Sequence, residues 1–317
     1  MKKFLFILSI VSFQCIIAQP DSLYFKTENI NIPKWSQNNK ASVLLSEVAF
    51  VNWNAGGSNS ISALFNFESA LKYRYRHLVW QSILISRYGI NKQENQGLRK
   101  TDDILDVSST LGFRRNEFTN WFFSSRFHFK TQFTKGYNYP DDTNVLSRFM
   151  APGYLFVGGG IEYGKNIEEF SFYFSPLTVK TTFVLDDTLA NSGSFGVTPA
   201  VYDDQGNILE EGERIRNEFG ILLTSIYEKE IFQNVLLTNY VSFYTDYINE
   251  FGNIDIDWQI NFDFKVNNFM KANFGSHLKY DNDVKTLVET EEIDEYETKG
   301  AMVQWKQILG VGVVVDF

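Results

Sequence analysis

The chain has 317 residues, of which 44% are hydrophobic and 16% aromatic, with 30 Phe and 16 Tyr. Mean hydropathy is only -0.20, and beyond the N-terminus no apolar run reaches the ~20 residues that a transmembrane helix needs. This excludes a helical membrane protein but not a β-barrel, in which only alternate residues face lipid. The net charge of -9 argues against nucleic acid as a partner.

At the N-terminus, Lys2 and Lys3 precede an apolar stretch from Phe4 to Ile17. It is too short for a spanning helix with normal flanks and reads as a cleavable signal peptide, residues 1–18, cut after Ala18. The single cysteine, Cys15, falls inside it. The mature chain is therefore expected to carry no disulfide and no cysteine-bound metal. Residues 19–42, rich in Asn and Gln, are expected to form a periplasmic extension or plug, with a barrel over 43–317.

Period-two alternation then recurs along the chain. Val43–Trp53 predicts a first strand. Ile61–Tyr75 places Ile61, Ala63, Phe65, Phe67, Leu71, Tyr73 and Tyr75 on one face, opposite Asn66, Glu68, Lys72 and Arg74. Less regular strands are predicted at Leu78–Tyr88 and Ile104–Phe113. Trp121–Tyr137 sets Trp121, Phe123, Phe127, Phe129 and Phe133 against Ser124, Arg126, His128, Lys130 and Gln132. Tyr154–Tyr163 follows. Phe170–Leu185 changes phase near Pro176, where a bulge is expected, because proline cannot donate to the ladder. Ile215–Tyr227 and Val235–Tyr247 come next. The cleanest alternation is Ile254–Val266, in which Asp255, Asp257, Gln259, Asn261 and Asp263 interleave with Ile256, Trp258, Ile260, Phe262 and Phe264. Phe269–Tyr280 and Val303–Phe317 complete about twelve strands, and an even number is the rule for bacterial single-chain barrels.

A soluble β-sandwich also alternates. Three features favour a transmembrane antiparallel up-and-down barrel. The strands are far longer than the ~5–6 residues usual in soluble proteins. Short periplasmic turns, such as Arg76–His77 and Asn267–Asn268, alternate with long external loops at Gly89–Asp103, Asn138–Gly153, Asp186–Glu213 and Asp281–Met302. Aromatics such as Tyr73, Trp80, Trp121, Tyr137, Tyr227 and Tyr247 lie near strand ends, as interface girdles do. Phe317, closing an alternating strand, resembles the assembly signal of Gram-negative outer-membrane barrels. That resemblance implies an outer-membrane location, with lipid and the barrel-assembly machinery as partners.

The stretch Phe50–Ser60 contains Asn52, Trp53, Gly56 and Gly57. It resembles the N-W-x-x-G-G hallmark of a family catalogued as a domain of unknown function, DUF 3078. Ser147–Gly160 and Phe174–Gly196 also look like that family. The resemblance implies an outer-membrane barrel over most of the mature chain and supplies no reaction, substrate or catalytic residue. Read from the residues alone, Gly56-Gly57 suits a tight turn and Trp53 an interface anchor.

The polar faces would line the lumen with both signs of charge. The candidate lining residues are Arg126, Lys130, Asp255, Asp257, Asp263, Lys271 and Lys279. Cross-strand pairing is expected between the three aspartates and Lys271 or Lys279. Inward Gly158, Gly160, Gly310 and Gly312 would leave space. The working function is a passive channel for small polar or charged solutes. Two alternatives remain: a filled, non-conducting structural or docking barrel, with residues 19–42 as a possible contact for a periplasmic partner, and an outer-membrane hydrolase. The three histidines, His77, His128 and His277, form no triad with a nucleophile, so no catalytic residue is assigned and a non-enzymatic role is expected. Neither a metal site nor a cofactor is expected. The acidic loops lack the spacing of a calcium-binding EF-hand, and the sequence leaves the oligomeric state open.

Overall fold

The computed structural model describes residues 34–49, 58–116, 119–165, 169–248, 251–289 and 296–317. The predicted signal peptide and the hallmark residues Asn52, Trp53, Gly56 and Gly57 lie outside them. Twelve antiparallel strands close into one barrel. They are β1 (Lys34–Val48), β2 (Ser60–Tyr75), β3 (Leu78–Gln93), β4 (Leu98–Phe113), β5 (Trp121–Thr131) and β6 (Gly153–Lys165). The second half comprises β7 (Phe170–Phe183), β8 (Ile215–Phe232), β9 (Val235–Asp246), β10 (Asp255–Lys265), β11 (Met270–Tyr280) and β12 (Gln304–Asp316).

Each strand pairs with its sequence neighbour, and β1 pairs with β12 to remove the last edge. In that seam Val43 faces Val313 and Leu45 faces Val311. Asn39 and Phe317 exchange both backbone hydrogen bonds, at 3.1 and 3.0 Å. No helix among the described residues is long and apolar enough to cross a membrane. Eleven residues, the length of β5, β10 and β11, suffice for a tilted strand to span a hydrocarbon core.

The outward face is apolar because the side-chain period is two. Leu309, Val311, Val313 and Val315 project outward from β12, and Trp121, Phe123 and Phe127 from β5. At the short-turn end, Trp35 packs on Tyr73 and Trp80, and Trp121 on Tyr163. Tyr247 stacks on Phe251 at the other end. These two aromatic bands bracket the apolar wall as interface girdles do.

Four boundaries depart from the sequence expectation, one being β5, which ends at Thr131 instead of Tyr137 because Gly136–Tyr137 pairs with Val145–Ser147. β1 starts at Lys34, so residues 34–42 belong to the wall and not to an extension. Its partner supplies the reason: β2 continues to Tyr75, and Trp35 pairs with Tyr73. The long loop expected at Gly89–Asp103 is mostly strand, because β3 runs to Gln93 and β4 begins at Leu98. Pairing with β9, from Glu228 opposite Thr238 to Phe232 opposite Val235, likewise carries β8 on to Phe232.

The phase change at Pro176 is a bulge. The β7 register shifts against both β6 and β8 there. Thr178 Oγ1 donates to Ser175 Oγ at 2.7 Å, and Ser175 Oγ to Gly159 O at 3.0 Å, which satisfies backbone freed by the proline. Phe172 and Phe174 before the bulge and Leu177 and Val179 after it all stay on the less buried, outward face.

Candidate functional site: a charged constriction under an open vestibule

The barrel has a long-loop end and a short-turn end. Residues 184–214 fold over the long-loop end. A five-residue helix, α1 (Asp187–Asn191), is capped by Asp186, whose carboxylate accepts the Leu189 N–H at 3.0 Å and pairs with Arg148 at 2.7 Å. Burial pushes the Asp186 carboxyl up, but the Leu189 N–H and Arg148 outweigh it and hold it below the usual aspartate range. Beneath the helix, Ala151, Val184, Leu189, Ala190 and Val197 form a small apolar core with Phe195 against it. This core fixes the loop beside the lumen. Arg216 then reaches from β8 to donate to Gly196 O at 2.9 Å and pairs with Asp283 at 3.0 Å.

Between these loops lies a vestibule of about 620 Å³, lined by Arg216, Glu218, Tyr244, Asp246, Asp255 and Asp283 among others. Below it is a smaller cavity of about 90 Å³. Tyr244 and Asp255 line both.

The belt around the small cavity is held by contacts that cross the lumen. Lys180 on β7 lies 2.8 Å from Asp255 on β10, and 3.4 Å from Glu218 on β8. Lys130 on β5 lies 3.5 Å from Asp257 on β10. Lys279 on β11 sits over the Tyr154 ring of β6, 4.8 Å from its centroid. Phe156 on β6 meets Tyr244 on β9 edge-on at 5.9 Å. On the opposite side, Lys306 of β12 pairs with Asp102 of β4 at 2.9 Å. Inside a narrow barrel such pairs feel a lower dielectric than at a surface and are correspondingly strong.

All seven candidate lining residues lie on the inward face, but their partners differ from the expected ladder. Asp263 does pair with Lys271, at 3.5 Å. Asp257 instead receives Lys130 from across the barrel and His277 from the neighbouring strand at 2.9 Å. Asp255 takes Lys180, while Lys279 turns to an aromatic ring. Arg126 reaches Glu162 at 3.5 Å and stacks over Tyr173 at 4.0 Å. Curvature explains the change, because inward side chains converge and long ones reach opposite strands as easily as adjacent ones.

The inward glycines do not leave open space. A Cβ on Gly160 would collide with the Phe174 carbonyl, and one on Gly312 with the Val43 carbonyl. Thr178 and Ser175 crowd Gly158, and Leu44 crowds Gly310. These glycines permit close approach of neighbouring backbone and side chains.

Sequence reasoning missed Tyr154, Phe156, Tyr240 and Tyr244, which line the small cavity. A signal was present: each is an aromatic residue in the polar phase of its strand. The ring of a lumen-facing aromatic fills a bore that charged side chains alone would leave wet.

Residues 45–137 match the family described as "Protein of unknown function (DUF3078)". The chain is a closed twelve-stranded antiparallel β-barrel in which residues 45–137 are similar to that family. The matched span holds the hallmark residues and β2 to β5, whereas Ser147–Gly160 and Phe174–Gly196 lie beyond it. No curated protein matches the chain. Among solved structures, the COG4313 outer membrane channel from Pseudomonas putida F1 is 11% identical, with 94% of this chain and 100% of that one covered and a TM-score of 0.38. The translocator domain of autotransporter NalP from Neisseria meningitidis is 9% identical over 91% and 90%, with a TM-score of 0.31.

Proposed function

We propose that this protein is a narrow outer-membrane channel for small polar or charged solutes, entered from the long-loop side. The supporting observation is the vestibule of about 620 Å³ above a belt of charged side chains, which shares the lumen with the packed cluster of Tyr173, Leu222, Tyr244 and Phe156. Charged groups facing a lumen favour water and ions over a dry interior. The long-loop end faces outward and the short turns face the periplasm, as in other barrels of this kind. The signal peptide and the assembly machinery would deliver it there. No residue is assigned a catalytic role.

A second reading is a non-conducting barrel that docks a partner. The cross-lumen pairs Lys180–Asp255 and Lys130–Asp257 favour it, since they bridge the bore.

Single-channel recording of the refolded mature protein in a planar bilayer separates the two. A channel gives small steps that scale with salt, and Lys130→Ala combined with Lys180→Ala enlarges them. A folded barrel with no steps in either form overturns the channel reading and leaves the docking barrel.

A further inference from the structure

We propose that the small cavity beneath the vestibule binds a small α-amino acid in its zwitterionic form, with Lys279 holding the carboxylate and Asp281 the ammonium. This names the solute of the channel proposed above, and as a statement about transport it rests on that reading.

Both residues line the cavity of about 90 Å³. Lys279 sits over the Tyr154 ring, 4.8 Å from its centroid. Among the described residues its ammonium neither pairs with a carboxylate nor donates a hydrogen bond to an oxygen. A ring face stabilises the charge but leaves three N–H donors open to an acceptor. Asp281 is 6% exposed. It accepts the Asp283 N–H at 3.1 Å, and among the described residues it has no ion pair. Lys180 feels its charge, but the ion pairs of Lys180 go to Asp255 and Glu218, at 2.8 and 3.4 Å. A carboxylate this buried is costly without a cation in contact.

The other charges on the wall are matched. Asp257 takes Lys130 and His277, Asp255 takes Lys180, Arg126 reaches Glu162, and His128 meets Asp106 at 2.9 Å. Lys279 and Asp281 are the two lining groups left over, and they are opposite in sign.

They are also close without touching. Two residues at the end of β11 separate them by about 7 Å at the rise of a strand. Tyr154 stands beside both, since its ring carries Lys279 and it feels the charge of Asp281. An α-amino acid carries ammonium and carboxylate on one carbon. It can therefore bridge such a pair through two charge-assisted hydrogen bonds of about 2.8 Å. A simple cation would leave Lys279 unmatched, and a simple anion would leave Asp281 unmatched. Phe156 and Leu222, also on the wall, give an apolar side chain something to pack against.

Binding is read in detergent and conductance in a bilayer, so this proposal and the channel reading can fail separately. L-Alanine, ethylamine and propionate are each titrated calorimetrically into the refolded full mature barrel, with folding checked by heat-modifiable gel mobility. The two control ligands are alanine without its carboxylate and alanine without its ammonium. One alanine per barrel is expected, bound at least tenfold more tightly than either control. Lys279→Met and Asp281→Asn should each weaken alanine at least tenfold. Glu211→Gln, on an exposed loop residue, should leave it unchanged. If Asp281→Asn does not fold, Lys279→Met and the two control ligands carry the test. Absence of alanine binding, a control ligand that binds as tightly, or alanine binding that the folded variants do not alter overturns the proposal.

Discussion

Lys180 Nζ lies 2.8 Å from Asp255 Oδ2, although their strands stand three apart around the barrel. The Lys180 side chain is 4% exposed, and Glu218, at 3% exposed, is its second partner. This ammonium ties β7, β8 and β10 together through the lumen. Removing it leaves the buried Glu218 with only Arg216, at 3.7 Å, and the half-buried Asp255 without its cation. Lys180→Met should therefore destabilise the barrel by roughly 3–5 kcal/mol, the usual cost of breaking a buried pair from one side. Urea unfolding of the refolded protein measures it, and exchanging the charges in Lys180→Asp with Asp255→Lys should recover part of the loss.

Asp255, Asp257 and Asp263 supply negative charge along one inward face of β10. Neutralising all three to Asn should move the selectivity of an open lumen toward anions. Reversal potentials in a salt gradient read the change, and unchanged selectivity in a conducting barrel would remove these residues from the ion path.

Gly312 sits in the seam, and its absent side chain is what lets the Val43 carbonyl approach. Gly312→Ala forces the two strands apart where the barrel closes. Overpacking of this kind typically costs about 1–3 kcal/mol. A lower urea midpoint and slower appearance of the heat-modifiable band are expected. Gly159→Ala, where a Cβ would meet nothing within 4 Å, should fold as the parent does.

Asp186 sets the acid limit of the loop that shapes the vestibule. Its carboxyl is held low in the folded state, so its contribution is complete above the ordinary aspartate pKa. It fades only as pH falls through the lowered folded value. Hydrogen-exchange protection at the Ala190 amide should thus stay constant from neutral to mildly acidic pH and drop in stronger acid. Asp186→Ala should lose that protection at neutral pH, with a cap cost of about 1 kcal/mol.

The strands were legible because each wall residue is sorted by a simple rule. A period of two puts lipid on one side and lumen on the other, and twelve such segments emerge from alternation alone. The phase shift at Pro176 was readable for the same reason, since a missing N–H forces a local break in the ladder. Strand ends were less legible. β3 and β4 continue through polar residues such as Asn91, Lys92 and Arg99, because the ladder extends wherever a neighbour offers hydrogen bonds, with or without an apolar face.

The sequence by itself determined which residues face inward, Lys180, Glu218 and Asp255 among them, because strand geometry fixes the side of each residue from its position. Only the tertiary structure decided their partners. Closing a sheet brings β5 opposite β10 and β6 opposite β11, so a charge pairs with whatever lies across a lumen a few side chains wide. That distance depends on the curvature of the whole barrel, which no local pattern of residues encodes. The same holds for the carboxylates of Asp255, Asp281 and Asp283, which meet only because the turn after β11 folds back on β10.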